Sequence, residues 1–146
     1  MRDWGMRAGV VWIAACACAV AAGLDEVVAP GTVAEPVATG FVFTEGATVN
    51  AAGEIFFTDQ PNNRILRWSR EQGVRVFLSP AGRANGMCFR ADGTLLVCAD
   101  EKNELWSVTP DGAVTVLTSA FEGKKLNGPN DVWARPQGGC YFTDPF

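Results

Sequence analysis

The sequence predicts an all-β fold of the β-propeller type, of which about two and a half blades are present. The first observation is a unit that occurs three times, with Asp59, Asp100 and Asp144 as its repeated landmark, 41 and 44 residues apart. The second is the content of each unit, in which short hydrophobic runs alternate with glycine-containing turns. A period of about 40–45 residues with four short strands is typical of a propeller blade. The third unit stops at Phe146, so we expect the chain to end inside a blade.

The N-terminal residues 1–23 are predicted to be a secretory signal. A short positive stretch with Arg2 and Arg7 precedes an apolar run of 15 residues, and a spanning helix needs roughly 20. Three outcomes stay open: cleavage before Ala22, lipid attachment at Cys16 within a lipobox-like stretch, and an uncleaved anchor. Each of them places the mature domain outside the cytoplasm, in a secreted or periplasmic location, with no membrane span in the mature chain.

The remaining chain divides into an extended lead-in over residues 24–40 and propeller blades over residues 41–146. Proline and glycine in the lead-in argue against a helix. Glycine-containing turns then separate hydrophobic runs, which predicts antiparallel hairpins. In the second unit the four strands are expected at about 86–90, 94–99, 104–108 and 113–117. Trp68 and Trp106 take matched places on the third strands and are predicted to pack between blades.

Composition excludes several classes of function. The 146 residues carry a net charge of −4 and no basic stripe, so no nucleic-acid partner is expected. The absence of histidine rules out a Ser-His-Asp triad and a His-ligated zinc site within these residues. Oxygen ligands remain, and they favour a hard divalent cation. Cys88 and Cys98 flank one turn, which leaves open a disulfide across the hairpin or two buried thiols.

Alignment of the three units brings out a second set of repeated positions. Glu45, Asn85 and Asn130 stand just before the innermost strand of each unit, 40 and 45 residues apart. Innermost strands line the central channel of a propeller, so their starts converge at one end of it. One carboxylate and two amides meeting there suit a divalent cation. The alternative is that these polar residues only form turns, and Asn85-Gly86 in particular fits a turn.

The run from Lys125 to Val132, followed by Tyr141 to Pro145, resembles the gluconolactonase and regucalcin (senescence-marker-protein) family. The Glu-Gly pair at Glu45 and the Asn-Gly pair at Asn85 fit the same pattern. The resemblance covers about residues 40–146. It implies a six-bladed propeller that hydrolyses a small-molecule sugar lactone with a divalent metal on its axis. Calcium is the first expectation for this metal, with zinc, magnesium and manganese as alternatives.

The resemblance also implies roles for individual residues. It assigns Glu45 and Asn130 to the metal, with Asn127 as the competitor of Asn130. It assigns Lys125 to the substrate, although the family more often has arginine there, and we group Asn85, Asn127 and Asp131 with it as substrate-binding candidates. The catalytic base and a further ligand belong to later blades in this family, so we expect them beyond Phe146 and name no catalytic residue.

The repeated aspartates and the function each allow more than one interpretation of the sequence. The aspartates Asp59, Asp100 and Asp144 recur in every unit, so we interpret them as turn-forming or strand-capping residues and not as ligands. The function that competes with a secreted lactonase is a non-catalytic propeller that binds a sugar or another protein. A metal-free axis would favour this second function.

Overall fold

The computed structural model describes residues 28–146, so the predicted signal and its Cys16 lie outside the described residues. The chain divides into two compact units, and the boundary falls between Glu35 and Pro36. In the described part of the first unit the Thr32 amide donates to the carbonyl of Ala29 and closes one turn. No helix within residues 28–146 is long and apolar enough to cross a membrane.

The second unit is all-β, as predicted, and most of it consists of antiparallel four-stranded sheets. Blade 1 contains β1 to β4 and blade 2 contains β5 to β8, each in sequential order, while β9 pairs with β10 and β11 pairs with β12. We call the β11–β12 hairpin blade 3. The strands are β1 Thr44–Val49, β2 Ile55–Asp59, β3 Arg64–Ser69, β4 Gly73–Leu78, β5 Met87–Phe89, β6 Leu95–Ala99, β7 Glu104–Val108, β8 Val114–Thr118, β9 Ala120–Phe121, β10 Lys124–Lys125, β11 Val132–Ala134 and β12 Cys140–Phe142. The four strands expected in the second unit are therefore confirmed to within a few residues.

The turn between β2 and β3 shows how the blades correspond. Asp59 pairs with Arg64 at the end of the first hairpin, and Ala99 pairs with Glu104 in the same place of blade 2. A three-residue 3₁₀ turn lies between the two paired residues in each blade, Gln60–Asn62 in blade 1 and Asp100–Lys102 in blade 2. A left-handed asparagine then ends each turn, with φ values of 51° and 57°. Asp100 is thus the counterpart of Gln60, and Ala99 is the counterpart of Asp59.

This register corrects the predicted repeat of three aspartates. Asp59, Ala99 and Asp144 are 40 and 45 residues apart, which are the same intervals that separate Glu45, Asn85 and Asn130. Asp59 and Asp144 do hold the backbone before their own inner strands, as strand-capping residues should: Asp59 accepts from the Val42 and Phe43 amides, and Asp144 from those of Asn127 and Gly128. The segment before the inner strand of blade 2 is held differently. There the side-chain oxygen of Asn63, from blade 1, accepts from the Ala81 and Arg83 amides. Asp100 begins a turn, as the turn-forming alternative predicts, but it is not a third strand-capping aspartate.

The main hydrophobic core lies between blades 1 and 2. Trp106 is 8% exposed in this cluster, together with Phe56 and Ile65 of blade 1 and Val97 of blade 2. Packing of Trp106 between blades is therefore confirmed. Trp68 does not match Trp106: it pairs with Ile55, half-buried, and lines a groove on the other face of blade 1. The two tryptophans stand two positions apart on equivalent strands. Trp106 packs against blade 1, whereas the face of blade 1 that carries Trp68 is turned away from blade 2.

A smaller core lies between blades 2 and 3. It contains Leu96, Cys98, Leu105 and Val132, with Cys88 and Cys140 packed against it. Cys88 pairs directly with Leu96 and not with Cys98, and the thiols are free. Burial, followed by the nearby Asp131 and Cys140, raises the pKa of Cys98 to about 12. The thiol of Cys98 is therefore a packing group with no thiolate character at neutral pH.

Candidate functional site

The starts of the three inner strands lie side by side because glycines let their backbones approach closely. A Cβ on Gly46 would collide with the carbonyl oxygen of Asn85, and a Cβ on Gly86 would collide with the carboxylate of Asp131. The Gly86 amide donates to the carbonyl of Asn130 over 2.7 Å, which joins blade 2 to blade 3. Only glycine, which has no Cβ, lets two backbones come this close. The predicted convergence of the inner strands is present in the structure.

Each inner strand has a β-bulge beside its polar residue, where two of its residues lie opposite one residue of the next strand. In blade 2, Cys98 accepts from the Asn85 amide through its carbonyl and donates its own amide to Gly86. In blade 3, Thr143 makes the same pair of bonds with Asn130 and Asp131. In blade 1 the ladder shifts between Glu45 and Thr48. Bulges re-aim side chains and are frequent beside functional sites, so the three blades use one device to present different groups.

These residues line one cavity of about 240 Å³, which we call the inner-strand cavity. It brings together three of the predicted site residues, Glu45, Asn130 and Asp131. Its remaining lining is apolar: Gly46, Ala47, Gly86 and Met87. Glu45 is half-buried, whereas Asn130 and Asp131 are exposed. The carboxylate of Asp131 also accepts from the Val132 amide over 2.9 Å, which fixes its orientation.

Asn85 is the buried member of the set. It is 6% exposed, and its side-chain amide makes no hydrogen bond to any residue between 28 and 146. Among residues 28–146, the fully buried side-chain nitrogen and oxygen atoms without a partner do not include those of Asn85, so its amide keeps contact with solvent. Asn85 and Asn130 precede their strands as predicted, whereas Glu45 is the second residue of β1. The backbone carbonyl of Asn85 lies against Gly46 of the cavity wall. Its free amide is therefore available to a bound molecule or to water.

Lys125 and Asn127 do not line the inner-strand cavity. Lys125 lies on the short strand β10 and is exposed. Asn127 donates its amide and its side-chain nitrogen to Asp144, at 2.8 and 3.2 Å. These bonds hold the loop that leads to Asn130, so the structure gives Asn127 a supporting position and leaves Asn130 as the residue at the cavity.

The electrostatics of the cavity favour a cation. Burial raises the pKa of Glu45, and the charges of Asp100 and Asp131 raise it further. Several carboxylates that repel one another gain stability when a positive ion is bound among them. No three acidic or sulfur side chains of residues 28–146 are close enough together to hold a metal by themselves. The donor set is thus one glutamate with amide oxygens, which fits a hard ion such as calcium when water and substrate complete the shell.

Comparison with protein families now adds to this geometry. Residues 43–145 match the model of the SMP-30/gluconolactonase/LRE-like region. The chain belongs to this family. The family resemblance drawn from Lys125–Pro145 and Glu45 is therefore confirmed.

Individual relatives of the SMP-30/gluconolactonase/LRE-like family agree with this assignment. A gluconolactonase of Zymomonas mobilis is 30% identical over 137 residues, which cover 84% of this chain and 38% of that protein. The solved structure of a gluconolactonase from Xanthomonas campestris has a TM-score of 0.69 at 28% identity, over 72% of this chain and 36% of its own. The chain thus spans less than two fifths of the length of these relatives.

Virginiamycin B lyase of Staphylococcus aureus is a more distant structural neighbour. It has a TM-score of 0.59 at 20% identity and covers 69% of this chain. At this identity the likeness concerns the fold alone. The same arrangement of strands therefore occurs in proteins outside the gluconolactonases, so function depends on the residues of the inner-strand cavity and not on the fold.

The structure also brings in a residue that the sequence analysis had set aside. Asp100 is half-buried and its charge acts on Glu45. The spacing of the repeat could have identified it. The aspartates are 41 and 44 residues apart, whereas Glu45, Asn85 and Asn130 are 40 and 45 residues apart. That difference places Asp100 one position away from the capping residue.

Proposed function

We propose that this chain contributes the metal-binding part of a sugar lactone hydrolase. The observation that carries the proposal is the inner-strand cavity, where Glu45, Asn130 and Asp131 meet although they come from blades 1 and 3. Membership of the SMP-30/gluconolactonase/LRE-like family supports the substrate class. In this proposal the ligands of the cation are the Glu45 carboxylate and the Asn130 side-chain oxygen.

A divalent cation at this site would supply Lewis-acid polarisation of the lactone carbonyl. Calcium is the ion that we propose first, because a carboxylate and an amide oxygen are ligands it prefers, and zinc, magnesium or manganese are the alternatives. The raised pKa of Glu45 supports this choice of site. The charge of Glu45, unfavourable in the metal-free cavity, becomes favourable when it faces a cation.

Asp131 in the cavity and two residues outside its lining, Asn85 and Lys125, orient the sugar lactone in this proposal. Asn85 offers a side-chain amide that makes no hydrogen bond to residues 28–146, and this amide can donate to one substrate hydroxyl and accept from another. Asp131 offers the carboxylate oxygen that is not occupied by the Val132 amide. Lys125 is exposed on β10 and would reach the substrate only at the rim, so we assign it the weakest contribution to binding.

We also propose export of the mature protein, with the lipid anchor at Cys16 as one form of it. The support is the composition of residues 1–23, with arginines before an uncharged apolar run. Cell fractionation with and without Cys16→Ala tests it: loss of a membrane-attached fraction in the variant supports lipidation, and retention in the cytoplasm contradicts export.

The activity test uses the purified full-length protein and gluconolactone, with hydrolysis followed as proton release. We expect hydrolysis that a chelator abolishes and added calcium restores. Glu45→Gln should lower the rate by about 100-fold or more, because it removes the only charge among the proposed ligands. Glu71→Gln is the matched control, since Glu71 lies exposed in the turn between β3 and β4. Cation binding without hydrolysis would favour the non-catalytic sugar-binding propeller instead.

A further inference from the structure

Asp100 holds a position at which the fold does not require a charge. It begins the 3₁₀ turn Asp100–Lys102, and the same place in blade 1 is occupied by the neutral Gln60. The two turns have the same length and the same left-handed final asparagine. Since a glutamine serves the turn equally well, turn formation does not explain the carboxylate of Asp100.

The carboxylate of Asp100 reaches from blade 2 to the loop before blade 3. A Cβ on Gly128 would collide with Oδ1 of Asp100, so this oxygen lies directly over the Gly128 backbone. Gly128 precedes the cavity residue Asn130 by two positions. Asp100 therefore contacts the segment that carries one of the two proposed metal ligands.

Asp100 also differs from the capping aspartates in its hydrogen bonds. Asp59 accepts from Asn62 and Arg64 as well as from backbone amides, and Asp144 accepts from Asn127 and Gly128. Over residues 28–146 the Asp100 side chain accepts no hydrogen bond at all. A half-buried carboxylate that no protein group neutralises is free to act on something that enters the cavity.

From these contacts, and resting on the proposed function, we propose that Asp100 is a positioning residue that strengthens cation binding by Glu45 and Asn130 from outside the ligand shell. Its charge acts through space or through a water molecule. Direct ligation is not part of the proposal, because Asp100 does not line the inner-strand cavity. The contact of Asp100 with Gly128, two residues before the proposed ligand Asn130, supports the proposal, since a carboxylate beside this segment attracts a cation that Asn130 holds.

The test is calcium titration calorimetry on the full-length protein and on Asp100→Asn. We expect the variant to bind calcium about 3- to 10-fold more weakly at low ionic strength, and the difference to shrink in about 0.5 M salt because the Debye length falls. Asp100→Glu, which restores the charge, should recover most of the affinity. Glu101→Gln removes one negative charge from the neighbouring exposed position and should leave the affinity unchanged.

Thermal unfolding of the metal-free variants separates binding from folding. Asp100→Asn should unfold close to the parent temperature, since no protein hydrogen bond is lost. Equal calcium affinity of Asp100→Asn and the parent would overturn the inference while leaving the proposed function intact. Equal weakening by Asp100→Asn and Glu101→Gln would also overturn it, because the effect would then be one of net charge. A parent protein that binds no divalent cation would contradict the proposed function itself.

Discussion

Gly86 donates its amide to the carbonyl of Asn130 over 2.7 Å, and this bond joins two blades at the wall of the inner-strand cavity. It fixes the start of β5 against the start of β11, so the polar residues of blade 3 stand next to those of blades 1 and 2. The site is thus assembled by backbone contact between inner strands, and the side chains Glu45, Asn130 and Asp131 are free for a ligand.

The first prediction concerns Gly86 itself. A Cβ there would lie 2.7 Å from Cα of Asp131 and 2.8 Å from the carbonyl oxygen of Asn130, so Gly86→Ala must push blades 2 and 3 apart. We expect a loss of about 1–3 kcal/mol in the free energy of unfolding and a loss of cation binding, measured by denaturant titration and calorimetry. Gly53→Ala is the control: its Cβ meets nothing within 4 Å, so only the strain of φ +79° remains and cation binding should persist.

A second prediction concerns the buried aspartate of blade 1. Asp59 is 0% exposed and bonds Arg64 over 2.7 Å. Asp59→Asn leaves the half-buried Arg64 guanidinium without its anion and should lower the free energy of unfolding by about 1.5–3 kcal/mol, the range for a hydrogen bond to a charged group. Urea titration measures this loss. A loss no larger than that of the exposed Asp92→Asn would show that Asp59 does not hold the segment before β1.

The pH dependence of stability gives a third prediction from the same residue. Burial opposes ionisation of Asp59, but the hydrogen bonds from Asn62, Arg64 and two backbone amides outweigh it and lower the pKa to about 2. An unfolded aspartate has a pKa near 3.9. The stability contributed by the ionised form is therefore complete above about pH 4 and is lost as the pH falls towards 2. The difference in unfolding free energy between the parent and Asp59→Asn should shrink over this window, and a constant difference would contradict the assignment.

The fourth prediction separates binding from stability at Asn85. Its side chain makes no hydrogen bond within residues 28–146, so Asn85→Ala should change the free energy of unfolding by less than about 1 kcal/mol. The proposed contact with substrate predicts a raised KM for gluconolactone with little change in kcat. Asn63→Ala is a useful contrast, because Asn63 accepts from the amides of Ala81 and Arg83 and its loss should lower stability. An unchanged KM in Asn85→Ala would remove Asn85 from the substrate site.

The sequence predicted the fold well because its main signals are local. Alternating hydrophobic runs and glycine turns determine the strands of blade 2, and the intervals between Glu45, Asn85 and Asn130 determine the convergence of the inner strands. Asp100 was aligned with Asp59, although its counterpart is Gln60, because the repeat was aligned on residue identity. The register is decided by the residues that pair between β6 and β7. The pair Ala99 and Glu104 shares no residue type with its counterpart in blade 1, so a sequence alignment does not detect it.

The supporting contacts of the site could not be predicted for a different reason. The bonds from Asn127 and Gly128 to Asp144 join positions 16 and 17 residues apart, and the collision that keeps Gly128 a glycine involves Asp100 of another blade. Such contacts depend on how blades pack, which no periodicity records. The same holds for Trp68 and Trp106, whose burial differs because they face different sides of blade 1.

The most direct measurement for the central claim is a crystal structure of the full-length protein grown with calcium. We expect a cation in the inner-strand cavity with the Glu45 carboxylate and the Asn130 side-chain oxygen at about 2.3–2.6 Å, and with Asp100 in the surrounding shell. A cavity without a cation at saturating calcium, or a cation held by residues other than Glu45 and Asn130, would contradict it.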